Sequence, residues 1–456
     1  MEYPVSHRPS KTLRAAVFVL FAGLALVFLA GWREQTLLAR HPWHALLVAI
    51  EDEQVPEEAV SLRARHLPET NLSAERRLLV EQLRAQAGGE EAIEIFGLSH
   101  MEQLVMVDTD AAFFTPALAS GRLPEPGRPE VLAGALTRFD TFEIDDTEFT
   151  VVGRLDPLIP GVLTAYFLPA HPTFDAIFTG QHDVTTGWMD VNGLDRLDEF
   201  EIEETSGEVA SRFLLPFGRV PTPVTAAAIL GLLGVAAGGA MLQIHLLRHL
   251  APRSGPFFRP FLSELTTRPG LLLAMHVLLY GVLFTGMAVG TLAPRMTYNA
   301  MRFTQTIFSE GDLGYIGRAY QSGNIPMAAL ATLNQNYFLG TCLYTVLPSL
   351  FIPFAGVLKN LASFSFVGWV MTPLWTGTVA QNTYHSITMT LELEAYVLVS
   401  FAISVLPIRA ARGFRDGAWA AHYAAGLRTI ASAVFLTGIL LAIAALYEAT
   451  SLILLR

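Results

Sequence analysis

Residues 385–406 form an apolar stretch of membrane-spanning length that contains two glutamates, Glu392 and Glu394. At about 1.5 Å per residue, both carboxyl groups would lie about 10–14 Å along a helix, inside a hydrocarbon core about 30 Å thick. A charge there is costly and needs a partner, a water-filled cavity or protonation. His385, seven residues before Glu392, shares its helix face, whereas Glu394 is rotated by about 200°. The two glutamates must therefore face different neighbours in a helical bundle.

Composition and charge predict a membrane protein with one soluble region. The chain of 456 residues is 52% hydrophobic and 16% charged, with a mean hydropathy of +0.41, which is typical of a polytopic membrane protein. Residues 33–221 contain 33 of the 41 acidic and 14 of the 30 basic side chains, a net charge of −19. An acidic, water-exposed domain joined to a membrane part with basic inner loops is expected. The dispersed basic residues argue against nucleic-acid binding.

Hydropathy predicts about seven transmembrane helices, with the N-terminus inside the cell and the C-terminus outside. The predicted spans are residues 15–32, 222–247, 270–292, 333–358, 361–376, 385–406 and 429–446. The first is longer than a signal-peptide core, which favours an uncleaved anchor over a cleaved signal. Pro348, Pro353 and Pro373 predict broken helices in spans four and five. A tight hairpin between these spans is predicted at Lys359 and Asn360.

The region between spans one and two shows mixed α and β signals, so an α+β extracytoplasmic domain is expected over residues 33–221. Short runs of strand-forming residues are bounded by Gly, Pro or acidic clusters. These predicted strands are residues 45–50, 92–96, 103–107 and 148–152. Ser73 is placed to cap a helix that runs to Gln86. Farther along, residues 293–332 are more polar, and Met301 and Phe308 belong to an apolar flank predicted on a surface helix.

Three short pieces of this domain form a recognisable pattern: Gly121-Arg122-Leu123-Pro124, then Glu130-Val131-Leu132 with Gly134, then Val151-Val152-Gly153. In these pieces the domain resembles the extracytoplasmic domain of MacB-type and FtsX-type ABC-transporter permeases. Gly121 and Pro124 are predicted to turn the chain, and Gly153 to permit a bend at a strand end. The resemblance implies a MacB-like domain that binds a cargo or partner.

Residues 336–406 are similar to the stage II sporulation protein M family of membrane proteins. The similarity consists of Asn336 near the start of a span, Lys359-Asn360 followed by Gly368, and the element Glu392-Leu393-Glu394-Ala395. The family usually has a His four residues before the Glu, where this chain has Thr388. The resemblances divide the chain into 1–32, a cytoplasmic N-terminus and anchor; 33–221, the MacB-like domain; and 222–456, a membrane domain of the sporulation-protein type.

Polar residues near the sixth span form a predicted intramembrane cluster of His385, Glu392, Glu394, Asn336, Gln381 and Asn382. Three interpretations remain open for this cluster: hydrogen bonds that join helices, a proton or cation relay used in transport, and catalysis. No cofactor or metal is predicted, because the sequence lacks the His-Glu-x-x-His and Cys-x-x-Cys patterns.

The loop between spans two and three combines arginines with aromatic side chains, and Phe257, Phe258, Arg259 and Phe261 are its candidate coupling segment. A short helix there could dock on a cytoplasmic partner or lie among the lipid headgroups.

A nucleotide-hydrolysing P-loop needs a Gly-Lys pair, and the two lysines of this chain follow Ser10 and Leu358. An ATP-driven role would therefore require a separate ATPase. The sequence favours a non-enzymatic, permease-like subunit of an envelope complex in the bacterial inner membrane. It would contact the lipid bilayer, an ABC-type ATPase and other envelope subunits. The alternative is a structural or signalling scaffold that transports nothing.

Overall fold

The fold combines an α+β sheet domain near the N-terminus with a bundle of long apolar helices. The computed structural model describes residues 11–43, 47–50, 59–86, 102–159, 163–179, 184–190, 221–309, 313–372 and 379–454, with the single positions 89, 93 and 311. The helices are α1 (Lys11–Leu38), α2 (Ala74–Arg84), α3 (Thr222–Leu250), α4 (Arg259–Thr267), α5 (Pro269–Leu292), α6 (Pro294–Ser309), α7 (Gly314–Gln321), α8 (Ile325–Leu333), α9 (Ala355–Val370), α10 (Val379–Arg415) and α11 (Trp419–Leu454). A π-helix, Asn334–Val346, and a short helical turn, Leu347–Ser349, separate α8 from α9.

Among the described residues, five helices are long and apolar enough to cross a membrane: α1, α3, α5, α10 and α11. They contain predicted spans one, two, three, six and seven. The prediction of a helical protein with several helices long and apolar enough to span a membrane is therefore confirmed. Predicted span four falls on the π-helix, the turn that follows it and the start of α9, and predicted span five begins within the 16-residue α9. The total of seven spans stays a prediction.

The chain turns just before α9, so the hairpin predicted at Lys359 and Asn360 is wrong. Both residues lie within α9. The break instead falls around Pro348 and Pro353, because proline lacks the N–H that a continuing helix needs. Phe354 completes the turn in a left-handed conformation, with a φ of 64°. Lys359 is therefore a helical residue that faces neighbouring helices.

Glycines set the closest helix contacts, as is common between membrane helices. A Cβ added to Gly23 of α1 would lie 2.4 Å from the backbone nitrogen of Val235 in α3. One added to Gly238 of α3 would lie 2.4 Å from the backbone nitrogen of Leu20. These two helices can therefore approach each other only where side chains are missing.

The sheet domain (residues 47–190) contains a nine-stranded sheet with the order β1-β9-β2-β3-β8-β5-β7-β4, in which β6 pairs with β7. The strands are β1 (Leu47–Ile50), β2 (Val60–His66), β3 (Gln103–Val107), β4 (Leu118–Gly121), β5 (Glu130–Ala133), β6 (Thr141–Ile144), β7 (Thr147–Leu155), β8 (Ala165–Pro169) and β9 (Val184–Asp190). The pairs β3–β8 and β5–β7 are parallel. Alternate residues of β3 enter separate apolar clusters on the two faces of the sheet, so both faces are covered.

Several local predictions for this domain are confirmed. β3 has the predicted bounds, β1 lies within residues 45–50, and β7 extends residues 148–152 at both ends. The Ser73 side chain caps α2 by accepting a hydrogen bond from the Arg76 N–H at 3.3 Å. The strand predicted at residues 92–96 lies mostly outside the described residues.

The two glycines of the permease-like motif have different structural roles. Gly121 ends β4 with a φ of +84°, a conformation that favours glycine. The prediction that it turns the chain is confirmed. Gly153 lies inside β7, beside a register shift in the pairing with β5, so its prediction as a residue at a strand end is wrong. A β-bulge needs glycine in the same way that a bend does.

Candidate intramembrane site

Glu394 is buried and joins α10 to α5. The Tyr280 hydroxyl donates to Glu394 Oε1 at 2.9 Å, and His276 Nε2 lies 3.1 Å from Oε2. The other ring nitrogen of His276, Nδ1, lies 2.8 Å from the carbonyl oxygen of Leu272. Both carboxylate oxygens therefore have partners on one neighbouring helix, which is the arrangement of a helix-joining group.

Glu392 points towards the π-helix. The side-chain amide of Asn336 donates to Glu392 Oε1 at 2.8 Å. The backbone carbonyl of Asn336 accepts hydrogen bonds from the Tyr396 hydroxyl at 3.0 Å and from the Thr341 hydroxyl, five residues on, at 2.9 Å. The prediction that the two glutamates of α10 face different neighbours is confirmed. π-Helical geometry occurs mostly as single turns, often at functional sites, whereas this segment has 13 residues.

A third glutamate, Glu448 of α11, lies near Glu392 and was missed by the sequence prediction. The two carboxyl groups interact electrostatically. Glu448 lines a cavity together with Tyr320 of α7, whose hydroxyl lies 2.9 Å from Thr332 Oγ1. The seventh predicted span stops at residue 446, whereas α11 continues to residue 454. The sequence contained a signal that could have identified Glu448, because it is the only acidic residue in the sequence of α11.

Two cavities meet at the two carboxyl groups. The first, of about 380 Å³, lies between the π-helix, α9 and α10. The second, of about 410 Å³, lies between α7, the π-helix and α11. Gln335, Asn336, Glu392 and Glu448 line both cavities. These four side chains form a polar wall between two spaces.

The structure places His385 with Glu392 in the first cavity, although the two are not hydrogen-bonded in the described part of the chain. The ring of His385 contacts that of Tyr384, with 5.3 Å between centroids. Gln381 and Asn382 lie on the same helix, α10, but their side chains fall outside the described residues. Of the predicted cluster, the structure thus brings together Asn336, Glu392 and His385, and separates Glu394 from them.

Lys359 lines the first cavity and was predicted only as a hairpin residue. Its ammonium nitrogen lies 5.4 Å from the centroid of the Tyr396 ring and 3.3 Å from Asn360 Oδ1. Asn360 in turn donates to the Ser400 hydroxyl at 3.0 Å. None of the salt bridges in the described part of the chain includes Lys359.

The predicted coupling segment is folded against the bundle's own helices. Phe261 is fully buried against Phe401, with 6.1 Å between ring centroids. Phe257 and Phe258 both contact Phe435, which belongs to the seventh predicted span. Arg259 is exposed. Docking on a cytoplasmic partner and a position among the lipid headgroups both stay predictions for this segment.

Residues of α4 strengthen this attachment. Glu264 is 5% exposed and forms salt bridges with Arg268 and with Arg409 of α10. Carboxylate–guanidinium pairs of this kind are stronger than neutral hydrogen bonds. We infer that α4 is fixed in place.

A buried group of charges joins the sheet domain to α6. Glu102, just before β3, forms salt bridges with Arg138 of the sheet domain, at 3.3 Å, and with Arg295 of α6. Burial lowers the pKa of Arg138 to about 10, and the nearby positive charges of Arg295 and Arg76 act in the same direction. The negative charge of Glu102 opposes this shift. The charged group is therefore partly desolvated.

Apolar contacts accompany these charges. Leu136 and Leu163 of the sheet domain pack with Tyr298 of α6, and all three side chains are almost fully buried. The helix that follows, α7, provides Tyr320 to the wall around Glu448. The sheet domain thus contacts a helix that leads directly to the intramembrane site.

No family model, curated protein or solved structure matches this chain. The resemblances to the MacB/FtsX permease domain and to the sporulation-protein family therefore stay predictions.

Proposed function

We propose that this chain is a non-catalytic, permease-like subunit of a bacterial envelope complex, which couples its sheet domain to a separate cytoplasmic ATPase of the ABC type. In this proposal it lies in the inner membrane with the sheet domain outside the cell membrane. The observation that supports coupling best is the salt-bridged link of buried Glu102 with partly buried Arg138 and Arg295. A mobile tether would have no need to desolvate a carboxylate between two arginines.

The route of coupling follows from the order of the elements. A ligand or partner that tilts the sheet domain pulls on α6 through Arg295 and Tyr298. Movement of α6 is passed to α7 and so to Tyr320, which touches the wall between the two cavities. Two packed arrangements of these helices would open one cavity or the other, as alternating access requires.

A cytoplasmic ATPase needs a docking surface at the end of the bundle that lies away from the sheet domain. The corner between α10 and α11 provides exposed Phe414 and Trp419, whose rings are 5.8 Å apart, beside Arg412 and Arg415. Because α10 continues nine residues past its predicted span, this corner projects about 13 Å beyond it. We assign the ATPase contact to this corner.

Co-purification tests the proposal. The full-length chain, extracted from native membranes in mild detergent, should bring an ATPase with it, identified by mass spectrometry. Phe414→Ser with Trp419→Ser should reduce the recovered ATPase about tenfold, as expected when exposed aromatic residues at the centre of an interface are removed. Leu292→Ser, which removes an exposed apolar side chain at the C-terminal end of α5, is the control. Recovery of no ATPase with the unaltered chain would refute the proposal.

The scaffold alternative is favoured by one observation. Glu264 and Phe261 fix α4 onto the bundle, so the predicted coupling segment has little freedom to move with a motor. Flux measured in proteoliposomes that contain the co-purified partners separates the two functions, because a scaffold gives no flux.

A further inference from the structure

The first cavity opens sideways, on the membrane-facing surface of the bundle. Tyr344 and Met371 both line it, and they are 52% and 41% exposed. Near Tyr344 in the sequence, Leu343 and Leu347 are also apolar and exposed, at 42% and 46%. An apolar surface of this kind on a membrane helix faces lipid, so the cavity is open to molecules that diffuse within the bilayer.

The interior of the cavity is divided by charge. Lys359 lies over the Tyr396 ring, and the Tyr396 hydroxyl donates to the backbone carbonyl of Asn336. The side-chain amide of Asn336 in turn donates to the Glu392 carboxyl group. These charges do not pair with each other: in the described residues, no nitrogen–oxygen distance of 4 Å or less joins Lys359 to a carboxylate. A charged group held in a membrane protein normally has a partner.

Apolar side chains line the rest of the wall. Phe364, Val367, Met389 and Leu393 extend from the charged groups towards the opening. A volume of about 380 Å³ lies in the range of small-molecule sites, about 300–1,000 Å³. The cavity therefore offers the Lys359 amine, a carboxyl contact and an apolar path to the bilayer.

We propose that this cavity binds a zwitterionic membrane lipid, with the lipid's anionic group at Lys359, its primary amine at Glu392 and Glu448, and its acyl chains leaving past Val367 and Met371. A lipid with only an anionic headgroup would satisfy Lys359 but would offer the glutamates no cationic group. This inference deepens the proposed function, because it names the class of molecule that the cavity binds. Only the idea that the bound lipid is a transported substrate rests on the proposed function.

Lipid retention tests the binding site without any partner protein. The full-length chain is placed in nanodiscs that contain equal amounts of phosphatidylethanolamine and phosphatidylglycerol, then released and examined by native mass spectrometry. We expect retained lipid to be enriched in phosphatidylethanolamine. Lys359→Met and Glu392→Gln should each lower this enrichment about fivefold, the effect of losing one partly exposed ion pair.

A steric pair of variants keeps the test independent of charge. Val367→Trp fills the cavity and should abolish the enrichment, whereas Leu343→Trp, on the same surface but outside the cavity lining, should leave it unchanged. Three results would each overturn the inference. They are retention of the two lipids in the same ratio as in the bilayer, enrichment of phosphatidylglycerol, and equal effects of the two tryptophan substitutions on the enrichment. Failure to recover an ATPase leaves this result unaffected, so the two proposals fail separately.

Discussion

Two glutamates separated by a single residue have different roles because a helix turns about 200° between them. Glu394 is 2% exposed, and each of its oxygens has a partner on α5. Glu392 has a neutral amide partner and lines two cavities. Glu394 is therefore assigned to stability, and Glu392 to the proposed function.

Replacing Glu394 by alanine should destabilise the bundle by about 1–3 kcal/mol, because His276 and Tyr280 lose a buried acceptor. Glu392→Ala should cost less, because Asn336 can turn to water in the cavity. Thermal unfolding of the full-length protein in one detergent compares the two variants. Equal losses of stability would contradict the separation of roles.

The sheet domain should lose stability in acid through Glu130. A hydrogen bond from Arg122, against the opposing effect of burial, lowers the pKa of Glu130 to about 2. A carboxyl group whose pKa is lower in the folded state stabilises that state above its unfolded pKa of about 4.5. This contribution is lost as the pH falls from about 4.5 to about 2.

Hydrogen exchange of β5 in the full-length protein, measured across this pH range, checks the prediction. Glu130→Gln should remove part of the pH dependence of protection. Glu148→Gln, an exposed change on β7, should leave it intact. An identical response of the two variants would exclude Glu130 as the titrating group.

At the scale of single elements, the long helices could be predicted because apolar length is a local property of the sequence. Helix ends and helix breaks were less predictable. α11 continues past Glu448 because the polar side chain finds Tyr320, a tertiary contact that hydropathy does not contain. The turn predicted at Lys359 lies earlier because two prolines stop the helix. The π-helix has no sequence signal that we can identify.

Helix packing gives a prediction in which one substitution has opposite effects at two sites. Alanine favours a helix over glycine by about 1 kcal/mol. At Gly281 of α5 no atom outside the adjoining backbone of the same helix lies within 4 Å of the added Cβ, so Gly281→Ala should be neutral or stabilising. At Gly238 the Cβ would lie 2.4 Å from a backbone nitrogen of α1. Gly238→Ala should therefore separate α1 from α3 and lower the unfolding temperature. Equal unfolding temperatures would contradict this packing.

At the scale of the whole molecule, the sheet domain and the bundle each have their own apolar core, and a small buried contact joins them. Membrane-spanning length, strand patterns and the charge asymmetry predicted the two parts. Their contact was not predictable, because Glu102 and Arg295 are 193 residues apart in the sequence. Nothing in their local surroundings distinguishes them from other surface charges.

Arg295→Ala should loosen this contact without unfolding either part. The salt bridge between Glu102 and Arg138 would remain, whereas α6 would lose its salt bridge to Glu102 at a cost of about 1–3 kcal/mol. Hydrogen exchange should then quicken in α6 and near Glu102, while β3 and α10 keep the protection given by their own cores. Arg122→Ala, which removes an exposed pair within the sheet domain, is the control. If α6 exchanges at the same rate in both variants, the buried charges do not couple the domain to the membrane, and the route to Tyr320 loses its first step.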